Sequence, residues 1–337
     1  MSAPSPAFNS FFNTSSNVSM AQFLIWAQSV ESQLKGTPIN VQDSAFGAVG
    51  DGSADDTSAI SAAIAAAVAS TYKPPVFFPR GRYKHTGITV PADVTLFGED
   101  RYSSVLAINS ATANGISIDG SYAGLVNLGV DTIPTRTAGA HIVLTSNASN
   151  NLLEGLHINA PFIGIQTNAA NAILRARNIN IDDTVATTGR SIEVLGGFVM
   201  YFESIVARNG TGARPYSHLN VNNVADIYLV DSQLLSAVNN ITVGPGGGQS
   251  IGLFVVRNSV LDDAQSYAVR MVTAGGTVYE VDIESPWMKG GSGAIYANAA
   301  SGAMDSFSVR NSFPVGSGGG VGYAFDGIGT VVVRGDR

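Results

Sequence analysis

Between residues 125 and 311 the chain repeats one short pattern eight times, and this constrains its fold more than any other feature. The copies are Leu125-Val126-Asn127, Leu153-Glu154-Gly155, Leu174-Arg175-Ala176-Arg177-Asn178, Met200-Tyr201-Phe202-Glu203-Ser204, Tyr228-Leu229-Val230-Asp231-Ser232, Phe254-Val255-Val256-Arg257-Asn258, Tyr279-Glu280-Val281-Asp282-Ile283 and Phe307-Ser308-Val309-Arg310-Asn311. The fuller copies read apolar, any residue, apolar, usually charged, then usually Asn or Ser. The anchors Asn127, Gly155, Asn178, Ser204, Ser232, Asn258, Ile283 and Asn311 recur about every 26 residues, a spacing typical of repeat architectures. Apolar-x-apolar has the two-residue period of a strand. One short strand cannot bury its apolar face, but a stack of them can.

A second alternating series runs out of phase with the first: Ile142/Leu144, Ile192/Val194, Leu219/Val221, Ile241/Val243, Val269/Met271 and Ile295/Ala297. Further runs such as Leu156/Ile158 and Ile179/Ile181 follow the anchors. Each turn of the repeat therefore holds at least two short strands and a third run. The Asn or Ser falls where an αL-tolerant residue turns the chain and its side chain can reach the next rung. This pattern describes an all-β, single-stranded parallel β-helix. A globular sandwich is the alternative, but its alternation need not keep register over eight copies.

Composition removes several function classes. Charged residues make up 13% of the 337 and glycine accounts for 38 positions, against a usual charged share of about 25%. A net charge of -7 argues against nucleic acid as a partner. No apolar run is long enough to predict a membrane span. The absence of cysteine excludes disulfides and thiolate metal sites. No metal site or cofactor motif is readable, and residues 1–16 lack the pattern of a secretory signal.

Two domains are expected: an arm and amphipathic helix over 1–37, and the β-helix over 38–337. The arm is rich in Ser, Asn and Pro around Phe8, Phe11 and Phe12. Ser19 with Gln22 forms a capping box, after which Met20, Phe23, Leu24, Ala27, Val30 and Leu34 keep helical spacing. This helix lies either on its own domain or against copies of itself or an assembly. A second helix is expected near 55–69, where Asp55, Asp56 and Thr57 offer N-cap chemistry and Ile60, Ala63, Ile64, Ala67 and Val68 form one face.

The segment FGAVGDGSADDTSAI, followed by VFFPRGRYKHTGITVPADVTLFGE, resembles the N-terminal cap and first coils of the pectate-lyase-like superfamily. Within it, the similarity is to the branch of bacteriophage tailspikes and capsule depolymerases. The resemblance implies a right-handed helix whose end is plugged by the capping helix, with Asp51, Asp55 and Asp56 structural. It also implies a trimeric virion protein that binds, and in some members cuts, a surface polysaccharide.

Two outward stripes carry the candidate chemistry. One runs through Val126, Glu154, Arg177, Glu203, Asp231, Arg257, Asp282 and Arg310. Its charges mostly alternate except where Glu203 stands over Asp231, a like-charge pair able to raise one pKa. The other presents Gln166, Glu193, Asn220, Thr242, Arg270 and Tyr296, with Ser191, His218 and Asn240 two residues earlier. Amides there suit sugar hydroxyls, and Tyr216 or Trp287 can stack on a pyranose. Asp182 or Asp183 could pair with Glu193 as acid and base; the competing reading makes them turn residues. His85 and His157 have no partner in spacing. The Gly-His-Gly motif and the late Arg-x-Lys motif of polygalacturonases are absent.

The expected function is a tailspike or tail-fibre component that binds, and could depolymerise, a bacterial polysaccharide, attached to the virion tail, baseplate or capsid through 1–37. The alternatives are a non-catalytic structural or adhesive fibre and an extracellular lyase or hydrolase.

Overall fold

The computed structural model describes residues 37–185, 187–210, 214–316 and 321–334. The expected arm and first helix, in residues 1–36, lie outside the described residues. The rest is a right-handed parallel β-helix of about 10 turns. Every inter-strand pairing between named strands is parallel, and each joins a strand to its counterpart one coil away.

Each full coil contributes one strand to a ten-stranded sheet that runs from Ile88–Val90 to Val321–Asp326. The chain then enters a strand leading into a corner residue and a strand leaving it, both within a 21-stranded sheet. We call the three outer surfaces the ten-strand face, the leading face and the leaving face. Ile173–Asp182 and Val199–Arg208 run through the corner without a break.

The corner is where the repeat does its work. Asn127, Gly155, Asn178, Ser204, Asp231, Asn258, Ser285 and Asn311 have φ between 48° and 64°. Asn, Asp and Gly tolerate this left-handed region best. The corner N–H groups of Asn127, Gly155, Asp231, Asn258, Ser285 and Asn311 donate to carbonyls one coil ahead, at 2.9–3.1 Å. Two expected anchors are therefore corrected: the corner is Asp231, not Ser232, and Ser285, not Ile283. Ser232 sits one place inside the corner, fully buried. Its hydroxyl accepts the N–H of Ile205 and donates to the carbonyl of Val230.

Aliphatic columns fill the interior. Ile142, Ile165, Ile192, Leu219, Ile241, Val269 and Ile295 stack in register and none is exposed. Each such side chain contributes about 1.5–3 kcal/mol by leaving water.

The helix Thr57–Ala69 closes the N-terminal end, burying Ile60, Ala63, Ile64 and Ala67 against Ile39–Asn40, Val76–Phe78 and Ile88–Val90. Asp55 accepts the N–H and hydroxyl of Thr57. Asp56, the N-cap by position, instead accepts the N–H groups of Val49 and Gly50 at 2.7 and 3.1 Å. Gly50 has φ +66°, and a Cβ there would lie 2.8 Å from the Tyr83 ring, so this turn requires glycine.

Candidate functional site

On the ten-strand face the outward row runs in the expected register: Val143, Gln166, Glu193, Asn220, Thr242, Arg270, Tyr296. Gln166 Nε2 donates to Glu193 Oε2 at 2.7 Å, and Arg190 Nε stands 3.2 Å from Oε1 of the same carboxylate. The Arg190 guanidinium lies over the Tyr216 ring, 5.3 Å from its centroid. Thr242 Oγ1 donates to Asn220 Oδ1 at 2.7 Å, and Asn220 Nδ2 donates to Asn222 Oδ1 at 3.0 Å. Tyr296 stacks on Tyr267 at 5.2 Å. Arg270, between Thr242 and Tyr296, makes no hydrogen bond or ion pair with a described residue.

This row is thus a run of amides and hydroxyls, with the Tyr216 ring over Arg190 beside its middle and the Tyr267–Tyr296 pair at its far end. It has one acid, already compensated, and one cation, Arg270, that no described residue pairs. Such a surface can donate to and accept from sugar hydroxyls and stack on ring faces. Glu193 has no second carboxylate beside it in the row.

Six expected site residues lie elsewhere. His218 is fully buried: its Nε2–H donates to the Leu235 carbonyl at 2.7 Å, and Nδ1 accepts from Ser191 at 2.8 Å. Ser191 and Asn240 are buried with it, and the start of the ten-strand strand is met by the end of the same coil's leaving strand. Asn240 donates to the Asp262 carbonyl and His141 to that of Asn159 in the same way. Burial lowers the pKa of His218 to about 4, that of His141 to about 3 and that of His85 to about 4.

Asp182 points from the leaving face, where it pairs with Arg208 at 2.8 Å and His157 at 3.2 Å, and so does not meet Glu193. Asp183 has φ 52° and accepts the N–H of Gly210, a turn role. Trp287 is also on the leaving face, in register with Val260 and Phe313. His157, which showed no partner in spacing, stacks against Tyr102 at 4.9 Å as well as pairing with Asp182. Its signal lay in the leaving strand: His157 is in register with Asn180 one coil on, and Asp182 is the next outward position on that strand.

The corner shift removes the like-charge pair. Glu203 registers with Val230, and Asp231 occupies the left-handed corner. The stripe beside the corner is Glu154, Arg177, Glu203, Val230, Arg257, Glu284, Arg310. Arg177 holds Glu154 at 2.8 Å, and Arg257 and Arg310 hold Asp282 at 3.1 and 2.7 Å from the neighbouring column. Glu154, Arg177, Asn178, Glu203 and Ser204 line a shallow depression of about 230 Å³.

Among the described residues no cluster of His, Asp and Glu is placed to hold a metal ion, and no helix is long and apolar enough to cross a membrane. Among solved structures, an exopolygalacturonase from Thermotoga maritima is similar with a TM-score of 0.60 and 11% identity, over 93% of this chain and 96% of that one. The Dettilon tailspike protein is similar with a TM-score of 0.59 and 12% identity, over 96% of this chain and 71% of that one. At such identities the likeness is one of fold. No curated protein matches in sequence. The family model described as "Rhamnogalacturonase A/epimerase, pectate lyase-like" matches residues 38–259, more than half of the chain, and the protein belongs to that family.

Proposed function

We propose that this β-helix binds a polysaccharide along its ten-strand face and serves as a tailspike or tail-fibre component of a virion. The carrying observation is the register of Gln166, Glu193, Asn220, Thr242, Arg270 and Tyr296, with the Tyr216 ring against Arg190 and the Tyr267 ring against Tyr296. From Gln166 to Tyr296 spans five rungs, about 24 Å at the spacing of paired strands, enough for several sugar rings in line. Arg270 supplies a cation for a carboxylate or another acidic substituent. Similarity to a tailspike protein and to an exopolygalacturonase supports a glycan as the ligand.

The single compensated acid favours recognition by this face over cutting. Residues 1–37 form the attachment segment in this reading, and the particle-bound form is a homotrimer. The test uses the full chain with immobilised O-antigen, capsular polysaccharide and polygalacturonate. Arg270→Ala should weaken binding to the preferred polymer about tenfold, the scale of one lost charged hydrogen bond. Equal binding by wild type and an Asn220→Ala, Arg270→Ala double variant would refute the assignment of this face. Deleting residues 1–35 should lower the mass in light scattering from trimer to monomer, and a truncated trimer would reject the attachment role.

A further inference from the structure

The leading and leaving faces carry outward rows whose chemistry matches coil by coil. On the leading face Val199, Asp226, Leu253 and Glu280 stand in register. On the leaving face Val206, Gln233, Val260 and Trp287 do the same. Both rows belong to the same successive coils; Val199 and Val206 share one strand. On the first and third coils each face shows an aliphatic residue. On the second, the carboxylate of Asp226 is level with the amide of Gln233. On the fourth, Tyr279 and Glu280 are level with Trp287 and Lys289, the next outward residue of that strand.

Within one copy these rows are left uncovered. Phe198 and Tyr279, beside the leading row, are 52% and 53% exposed, and Phe313, one rung beyond Trp287, is 40% exposed. Large rings gathered in water mark a contact surface. The side chains of Asp226, Gln233, Glu280 and Lys289 make no hydrogen bond or ion pair with a described residue, although the Lys289 charge reaches Asp263. Both of these acids are on the leading face and the base is on the leaving face, so the two surfaces are complementary in charge as well as in apolar pattern.

We propose that the leading face of one copy of this chain packs on the leaving face of the next, rung against rung. Like faces are a poor match, because leading on leading sets Asp226 and Glu280 against the same acids of the other copy. Unlike faces bring Glu280 of one copy to Lys289 of the next and the Asp226 carboxylate to the Gln233 amide. A contact between unlike faces is heterologous and closes as a ring of copies. When the axis of that ring parallels the solenoids, each rung meets the rung of equal height, and the coil-by-coil match is the one this arrangement requires. The proposal rests on the homotrimer reading above: residues 1–37 gather the copies at high effective concentration, and this contact fixes how they stand. It covers the two faces that flank the corner and leaves the ten-strand face open to a polysaccharide.

The chain has no cysteine, so an introduced pair reacts alone. The full chain carrying both Leu253→Cys and Val260→Cys is weighed by light scattering, treated with a short bifunctional maleimide and run on a denaturing gel. The two positions flank the corner at Asn258 and stand roughly 15–20 Å apart at strand rise, too far to be linked within one copy. A covalent trimer is expected from the double variant and monomers from each single variant. In the double-cysteine background Glu280→Lys should slow linking about tenfold by setting like charges together, and Lys289→Glu in the same chain should restore it to within about threefold. A linked dimer from either single variant means that like faces meet and overturns the proposal, as does a charge exchange that restores nothing. A trimer in light scattering that yields no linked trimer refutes this contact alone; a monomer in light scattering refutes the homotrimer reading and the contact with it.

Discussion

The ten-strand face and the leading face are two sides of the same coils, yet they treat charge in opposite ways. On the first, Glu193 is met by Arg190 and Gln166, and hydroxyls and amides satisfy one another along the row. On the second, acids next to the corner are tied to Arg177, Arg257 and Arg310, but Asp226 and Glu280, farther along the same strands, have no such partner. The inward columns of both faces are apolar from coil to coil, with Phe202, Phe254 and Phe307 among the aliphatic residues behind the leading face. The fold is therefore specified by what repeats, and the chemistry of each face by what departs from the repeat.

The severest way to break the comparison is to damage the core that both faces share. Ile241→Asp would bury an unpaired carboxylate in the central column, and a loss above about 4 kcal/mol is expected. Circular dichroism should show both faces failing together; a melting temperature within a few degrees of wild type would mean that they do not share a core.

Acid should separate the faces next. His85, His141 and His218 are kept neutral by burial, with pKa values near 4, 3 and 4. An unfolded histidine takes up its proton near pH 6.5. The unfolded state thus binds more protons between pH 6.5 and 4, and stability present above that window falls as pH drops through it. His141 and His218 lie behind the ten-strand face, so hydrogen exchange at pH 5 should open that side before the corner ladder. A melting temperature flat from pH 7.5 to 4.5 would contradict this.

Smaller effects sharpen the contrast within the leading face. Asp282→Ala takes from Arg257 and Arg310 the nearer of the two carboxylates they share, leaving Glu284 at 3.5 and 3.6 Å, and a loss of about 1–2 kcal/mol is expected for this partly buried pair of ion pairs. Glu280→Gln, on the same strand, should change stability by less than about 0.5 kcal/mol. Equal denaturation midpoints for the two variants would show that the ladder contributes no more than the unpaired row. Glu193→Gln is the mildest change, also within about 0.5 kcal/mol, because an amide still offers an oxygen to Gln166.

Much of the fold was legible because strand alternation and an αL-tolerant corner leave separate marks in the sequence. The register of the ten-strand row could be read from Ile192/Val194 and its copies alone. The slip at Asp231 has a physical origin. Val230 is an outward residue of the corner stripe that happens to be apolar, so Tyr228-Leu229-Val230 imitates an inward-outward-inward triplet displaced by one. Glu284 and Ser285 were displaced by two for the same reason, since Tyr279 and Val281 read as an apolar pair. His218 and Asn240 alternate as outward residues, and the overlying end of their own coil's leaving strand, invisible in local periodicity, covers them. Asp226 precedes the five-residue motif, and Glu280 falls inside it only because that copy is displaced by two.

The hydrogen bonds between coils run along the solenoid axis, and that direction has a mechanical consequence. A pull along the axis loads all the bonds of a rung in parallel, while successive rungs bear the load in series, so the weakest rung sets the breaking force. Once a rung fails, its coil of about 26 residues pays out about 80–90 Å of slack at strand rise before the next takes the load. Force spectroscopy on the full chain should therefore record evenly spaced extensions, with the molecule yielding coil by coil in the manner of a tear-away shock absorber.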